Sequence, residues 1–138
     1  MTSMTRTGST HVTARRSPLV IVLCIVGAAL LVTSGLIHLH LERGPYQHVK
    51  TINWLFIVQF VSCLVVALAL VVTRHFLVAF AGAALLAGTI IGFIISRTRG
   101  IFGFHLTFSS TLANEALVVE AAGVVLLTVT GWILWRRD

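Results

Sequence analysis

Residues 52–95 read INWLFIVQFVSCLVVALALVVTRHFLVAFAGAALLAGTIIGFII, two long apolar segments separated only by the short polar turn at Arg74 and His75. A helix rises about 1.5 Å per residue, so each segment is long enough to cross a hydrocarbon core of roughly 30 Å. Because the connection is so short, we expect two antiparallel membrane-spanning helices. Apolar segments of similar length lie on either side, at 18–39 and 112–135.

The composition agrees with a membrane location. Of the 138 residues, 57% are hydrophobic and 10% are charged, and the mean hydropathy is +1.00. These values lie far outside the range of soluble globular proteins. We predict an all-α polytopic membrane protein, in which spans at 18–39, 52–73, 75–95 and 112–135 form one four-helix bundle in the lipid bilayer, a single domain at 18–138. Residues 1–17, rich in Thr, Ser and Arg, are typical of a disordered cytoplasmic tail.

The net charge of +6 is carried by basic residues that mostly flank the spans. There they meet anionic lipid headgroups and set the topology, so we predict no binding of nucleic acid. A plasma-membrane protein with both termini in the cytoplasm would place six basic residues inside and four outside, which favours this orientation. The inside set is Arg6, Arg15, Arg16, Arg74, Arg136 and Arg137. A cleaved signal peptide is a less favoured interpretation of the first span, because its apolar run is longer than usual.

Small residues recur at helical spacing in the spans, as is typical of membrane helices that approach closely. The clearest stripe is in the third span, where Ala84, Gly88, Gly92 and Ser96 recur every four residues. We expect this stripe to pack against another helix. Comparable faces in the other spans combine Gly27, Leu31, Ser34 and His38; Gln59, Ser62, Cys63 and Ala67; and Ala113, Ala116, Glu120, Gly123 and Leu127.

Glu120 lies within the apolar run 116–134 and is one of only four acidic residues in the chain. A carboxylate at membrane depth costs several kcal/mol unless it is neutralised, paired or hydrated, so its position marks a site worth explaining. Glu120 shares a helix face with small residues, which predicts that its side chain faces protein rather than lipid.

Polar residues within the spans lie in the half nearest the predicted outer surface, and the inner half is almost entirely apolar. The candidate ligand-binding residues are Ser34, His38, Gln59, Thr89 and Glu120. This asymmetry predicts a polar pocket that opens outward, where Glu120 and Gln59 would anchor a small ligand. The alternative is a structural clasp, in which Glu120 hydrogen-bonds to Gln59, Thr89 or His38 and only holds the helices together.

A metal site at the outer mouth is a second hypothesis for these polar residues. The candidate ligands are His38, His40, His48, His105 and Glu115. Imidazole with carboxylate suits zinc or iron, but the spacing matches no recognised metal motif. Only His38 lies clearly inside a span, which disfavours a bis-histidine haem. Cys24 and Cys63 lack CxxC spacing and are expected to be packing residues, and the sequence requires no cofactor.

The connection 97–111 between the third and fourth spans is rich in phenylalanine, with Phe102, Phe104 and Phe108 between glycines and polar residues. It is too short to cross the membrane. We predict an interfacial loop whose phenylalanines dip into the outer leaflet. Such a loop would bring His105 to the level of His38 and Glu115, close enough for a shared ion or hydrogen-bond network.

The segments 37–41, 53–59 and 100–104, together with the helix that carries Glu120, resemble small four-span membrane proteins common in high-GC Gram-positive, actinobacterial species. The resemblance covers nearly all of the chain after the tail. It implies the four-span architecture and carries no activity. Small multidrug transporters differ, because they place their essential Glu in the first span, which has none here. A DoxX-like accessory role in a redox complex follows only by analogy of architecture.

Two functions of different class are consistent with these observations. The favoured interpretation is a non-enzymatic integral membrane protein, either an accessory subunit or a small-ligand binder with an outward-facing polar pocket. The alternative is a redox or metal-dependent membrane enzyme that uses the outer histidines. A membrane-protein partner and a homo-oligomer are both compatible with the sequence.

Overall fold

The computed structural model describes residues 17–43, 50–99 and 111–138. Within these ranges the chain forms four α-helices and no strand: α1 (Pro18–Arg43), α2 (Lys50–Thr73), α3 (Phe76–Thr98) and α4 (Thr111–Arg137). Each helix contains an apolar span long enough to cross a membrane. The predicted four-helix membrane fold is confirmed, with helix ends a few residues from those expected. The predicted tail and most of the predicted interfacial loop, residues 1–16 and 100–110, lie outside the described residues.

Neighbouring helices run antiparallel, as the short connections predict. On α1, Gly27 lies against Leu70 of α2, and eight residues later Gly35 lies against Cys63. The order of contacts is therefore reversed between the two helices. The same holds for α1 and α4, because Gly27 contacts Leu127 and Ser34 contacts Glu120. The bundle thus has a termini end (Pro18, Thr73, Phe76, Arg137) and a loop end (Arg43, Lys50, Thr98, Thr111).

Glycines let large side chains pack against the backbone of the facing helix. A Cβ atom at Gly131 of α4 would lie 2.9 Å from the Phe80 ring of α3, and one at Gly123 would overlap Leu86. Leu127 fits between Gly27 of α1 and Gly82 of α3. Such contacts replace the hydrophobic effect, which cannot drive helices together in lipid.

The predicted packing stripe of α3 is wrong. Ala84 and Gly88 are exposed, and a Cβ at Gly88 or Gly92 would meet no atom within 4 Å. The buried residues of this helix are instead Ala79, Gly82, Ala83 and Leu86. Both sets have helical spacing and small members, so spacing alone could not choose between them. The faces predicted for α1, α2 and α4 are confirmed, since Leu31, Cys63 and Leu127 are fully buried.

The turn between α2 and α3 is closed by Arg74 and His75. Arg74 has a φ of 47°, in the left-handed region, and its N–H donates to the Leu70 carbonyl at 2.9 Å, which ends α2. His75 has extended backbone and caps α3, because its Nδ1 accepts a hydrogen bond from the Leu77 N–H at 3.2 Å. His75 is therefore a turn residue, as expected.

The lateral surface of the bundle, which would face lipid, is apolar between the termini end and the loop end. Large exposed side chains include Leu68, Val72, Val118 and Val125, which suit contact with lipid tails. At the termini end of α4, Trp132 and Trp135 contact each other, and the Arg136 guanidinium lies 5.1 Å from the Trp132 ring centre. Aromatic and basic residues of this kind anchor a helix at the membrane surface.

Candidate functional site

Three buried polar residues lie at one depth in the bundle. Ser34, Gln59 and Glu120 each lie six residues inside the loop-end boundary of their span, which is set by His40, Asn53 and Asn114 respectively. At helical rise this corresponds to about 9 Å below the boundary. Three different helices therefore bring polar side chains into one layer near the loop end.

Glu120 of α4 contacts two residues of α1 through a single carboxylate oxygen. The Ser34 hydroxyl donates to Glu120 Oε1 at 3.2 Å, and His38 Nε2 lies 3.5 Å from the same oxygen. Glu120 is 2% exposed and Ser34 is completely buried. The predicted orientation of Glu120 toward protein is thus confirmed, and its partners are on the helix that packs against it.

The ring of His38 is held in one orientation. Its Nδ1 lies 2.8 Å from the backbone carbonyl of Ser34. A carbonyl oxygen can only accept, so Nδ1 carries a hydrogen in this arrangement. The Phe56 ring of α2 packs edge-on against the imidazole at a centroid distance of 5.4 Å. Nε2 is therefore the nitrogen that faces Glu120.

Thr89 of α3 also lies near the Glu120 carboxyl. Its hydroxyl donates to the Leu86 carbonyl at 2.7 Å and also lies within hydrogen-bonding reach of Glu120. Ser34, His38, Thr89 and Glu120 form what we call the Glu120 cluster.

Gln59 lies at the depth of the cluster, but its hydrogen bond goes elsewhere. Its Nε2 donates to Cys63 Sγ, one turn along α2, at 3.5 Å. Of the three partners that the clasp interpretation allows for Glu120, Gln59 is therefore not one that bonds to it in the described part of the chain. Cys63 itself lies within electrostatic range of Glu120. The sequence predicts only a packing role for Cys63 and gives no role to Phe56, although Phe56, Gln59 and Cys63 share one helix face.

The candidate metal ligands are not brought together by the described helices. His40 and Glu115 are exposed on α1 and α4, and only His38 belongs to the Glu120 cluster. Among the described residues, no three His, Cys, Asp or Glu side chains are placed to hold a metal ion. His48 and His105 lie outside the described residues, so a site that includes them stays a prediction. The same applies to the expected proximity of His38, His105 and Glu115.

The Glu120 cluster is complete in its hydrogen bonding. Among the side chains that the structure describes, every buried nitrogen and oxygen has a partner. The cluster also joins three helices, because Ser34 and His38 belong to α1, Thr89 to α3 and Glu120 to α4. It can therefore stabilise the bundle, and it can also bind or release a proton.

No protein-family model, curated protein or solved structure matches this chain. The resemblance to small actinobacterial four-span proteins accordingly stays a prediction. We therefore infer function from the geometry and chemistry of the Glu120 cluster.

Proposed function

We propose that this membrane protein binds a small ligand at the Glu120 cluster. One observation carries the proposal: an acidic and a basic side chain, Glu120 and His38, meet at 3.5 Å at membrane depth. Ionisable groups are costly there, and neutral hydroxyl or amide pairs hold membrane helices together without that cost. An acid–base pair is therefore better explained by a ligand or proton that it binds than by helix packing alone.

The location of the cluster supports access from the loop end. Glu120 lies about 9 Å below the loop-end boundary of its span, whereas 17 residues, or about 25 Å, separate it from Arg137. The core on the termini side of the cluster is formed by Val20, Leu70 and Leu134, which offer no polar path. Thr130, a buried polar residue in that half, donates to the Leu126 carbonyl of its own helix.

The loop end would face the outside of the cell. Basic residues are more numerous on the cytoplasmic side of membrane proteins. The chain carries six on the side of its termini and four on the side of the loop end. With this orientation in a plasma membrane, the ligand would come from outside, and the favoured small-ligand interpretation of the sequence is retained.

Cysteine labelling in intact cells tests this orientation. Thr98→Cys and Thr111→Cys place an exposed thiol at the loop end without changing a charge, and Asp138→Cys places one at the termini end. We expect an impermeant maleimide to label the first two and not the third. The unaltered protein is the control, because Cys24 and Cys63 are 1% and 0% exposed and should not react. Labelling of Asp138→Cys alone would show that the protein has the opposite orientation, with its termini outside.

Dicyclohexylcarbodiimide tests whether the cluster is open to a small molecule. This apolar reagent couples to carboxylic acids but not to carboxylates. We expect it to modify Glu120 in the folded, membrane-embedded protein, with a rate that falls as the pH rises. Peptide mass spectrometry locates the modified residue. Glu120→Gln should abolish the modification, and Glu115→Gln, which removes an exposed acid five residues earlier on α4, should leave it unchanged.

A structural clasp is the competing interpretation, and the complete hydrogen bonding of the buried groups favours it. A sealed clasp would leave Glu120 unreactive until the helices are separated. Modification that occurs only after unfolding in dodecyl sulfate would therefore contradict the proposed binding function. An accessory role would depend on a partner chain, and the metal-dependent alternative would depend on His48 and His105; both stay predictions from the sequence.

A further inference from the structure

We infer that His38 and Glu120 share one proton, and that a monovalent cation binds the Glu120 cluster by displacing it. The inference rests on the proposed function, since it names the class of ligand for the same site. Its basis is the tautomer of His38 and the balance of charge around the carboxyl group.

The hydrogen on Nδ1 determines how many protons lie between the two side chains. That hydrogen is directed at the Ser34 carbonyl, 2.8 Å away, so a neutral imidazole presents the lone pair of Nε2 to Glu120 Oε1. Two lone pairs facing each other at 3.5 Å repel. One proton removes the repulsion, either as the acid Glu120 donating to Nε2 or as an imidazolium donating to the carboxylate. Both forms have zero net charge.

The other groups around the carboxyl add no charge to this balance. Among the described residues, α2 contributes the Cys63 thiol and α3 contributes the Thr89 hydroxyl. His38 of α1 and Glu120 of α4 are the two groups that meet at 3.5 Å. A pair without its proton would have a net charge of minus one, which is unfavourable at membrane depth unless a cation compensates it.

The charge of the site and the type of its ligand atoms indicate which cation fits. One carboxylate compensates one positive charge, so a monovalent ion restores neutrality and a divalent ion would leave an excess charge. The oxygens of Glu120, Ser34 and Thr89 are hard ligands that suit an alkali ion. The same oxygens accept hydrogen bonds from an organic ammonium group. In the exchange, the cation enters, the proton leaves for water, and the net charge of the site is zero before and after.

Proton release on addition of salt tests the inference. The full chain in uncharged detergent micelles at pH 7, with little buffer and an indicator dye, is titrated with sodium chloride, potassium chloride or methylammonium chloride. We expect a saturable release that approaches about one proton per chain for one class of cation. The inorganic and organic salts distinguish an alkali ion from an ammonium ligand.

The controls separate this inference from the proposed function. Glu120→Gln, whose folding is checked by its thermal unfolding, should release no proton, and Glu115→Gln should behave as the unaltered chain. No release with any of the three salts, or equal release from Glu120→Gln, would overturn proton–cation exchange. If carbodiimide still modifies folded Glu120 in that case, ligand binding stands and only the cation is wrong. If Glu120 is unreactive in the folded protein, the binding function itself fails.

Discussion

Glu120→Leu is expected to lower the free energy of unfolding by about 2 kcal/mol, because it leaves two inward-facing polar groups without their partner. The Ser34 hydroxyl donates to Glu120 Oε1, and His38 Nε2 lies 3.5 Å from the same oxygen. Glu120→Gln retains a carbonyl oxygen of the same reach and should keep most of the stability. The measurement is reversible unfolding in mixed micelles as the fraction of dodecyl sulfate is raised.

A double-mutant cycle with His38→Leu shows whether the stability lost in Glu120→Leu comes from the interaction between Glu120 and His38. Removing one partner leaves the other buried and unpaired, whereas removing both leaves an apolar contact. The double variant should therefore be more stable than the sum of the single losses implies, by about 1 kcal/mol. Strictly additive losses would mean that His38 and Glu120 do not interact across α1 and α4.

Gly35→Val should cost about 2 kcal/mol, by forcing α1 and α2 apart. A Cβ at Gly35 would lie 3.1 Å from Cys63 Cβ and 3.5 Å from Phe60 Cα. These atoms are fixed to the backbone of α2, so they cannot turn away as the end of a leucine side chain can. The shift would also displace Ser34, the neighbour of Gly35, from Glu120. The same unfolding titration measures the loss.

Gly88→Val is the matched control, since it makes the same change in another membrane helix. A Cβ at Gly88 meets no atom within 4 Å, so the added side chain would enter lipid. Because the two substitutions change helix propensity equally, the difference between them reports packing. We expect a loss below about 0.5 kcal/mol, the usual range for an exposed position. A loss at Gly88 as large as that at Gly35 would contradict the assigned faces of α3.

The fold was predictable from the sequence because span length and apolar composition are strong signals in membrane proteins. Four apolar runs and their short connections leave few arrangements other than an antiparallel bundle. Glu120 could also be placed in advance, because an acid in a span must face protein and small neighbours mark its face. Its contact with Ser34 and His38 agrees with the predicted depth of the three residues.

Residue spacing does not determine which face of α3 is buried or where the Gln59 side chain points. On α3, the face with Gly88 and Gly92 has the stronger pattern of small residues, yet the buried face includes Gly82, against which Leu127 packs. Which face is buried depends on the large side chains of the neighbouring helix. The sequence of α3 alone does not show which of its glycines those side chains will contact. The partner of Gln59 could not be predicted either. Its position in the sequence does not fix its rotamer, which directs the amide to Cys63 of its own helix.

The nitrogen-15 chemical shifts of the His38 ring test the central claim most directly. The signals are measured in the full chain labelled at histidine and are assigned by their loss in His38→Gln. We expect a proton-bearing Nδ1, fixed by the Ser34 carbonyl, and an Nε2 signal that moves when Glu120 is replaced with Gln. A bare Nδ1 with the proton on Nε2, and no response to Glu120→Gln, would contradict a proton-sharing pair of His38 and Glu120.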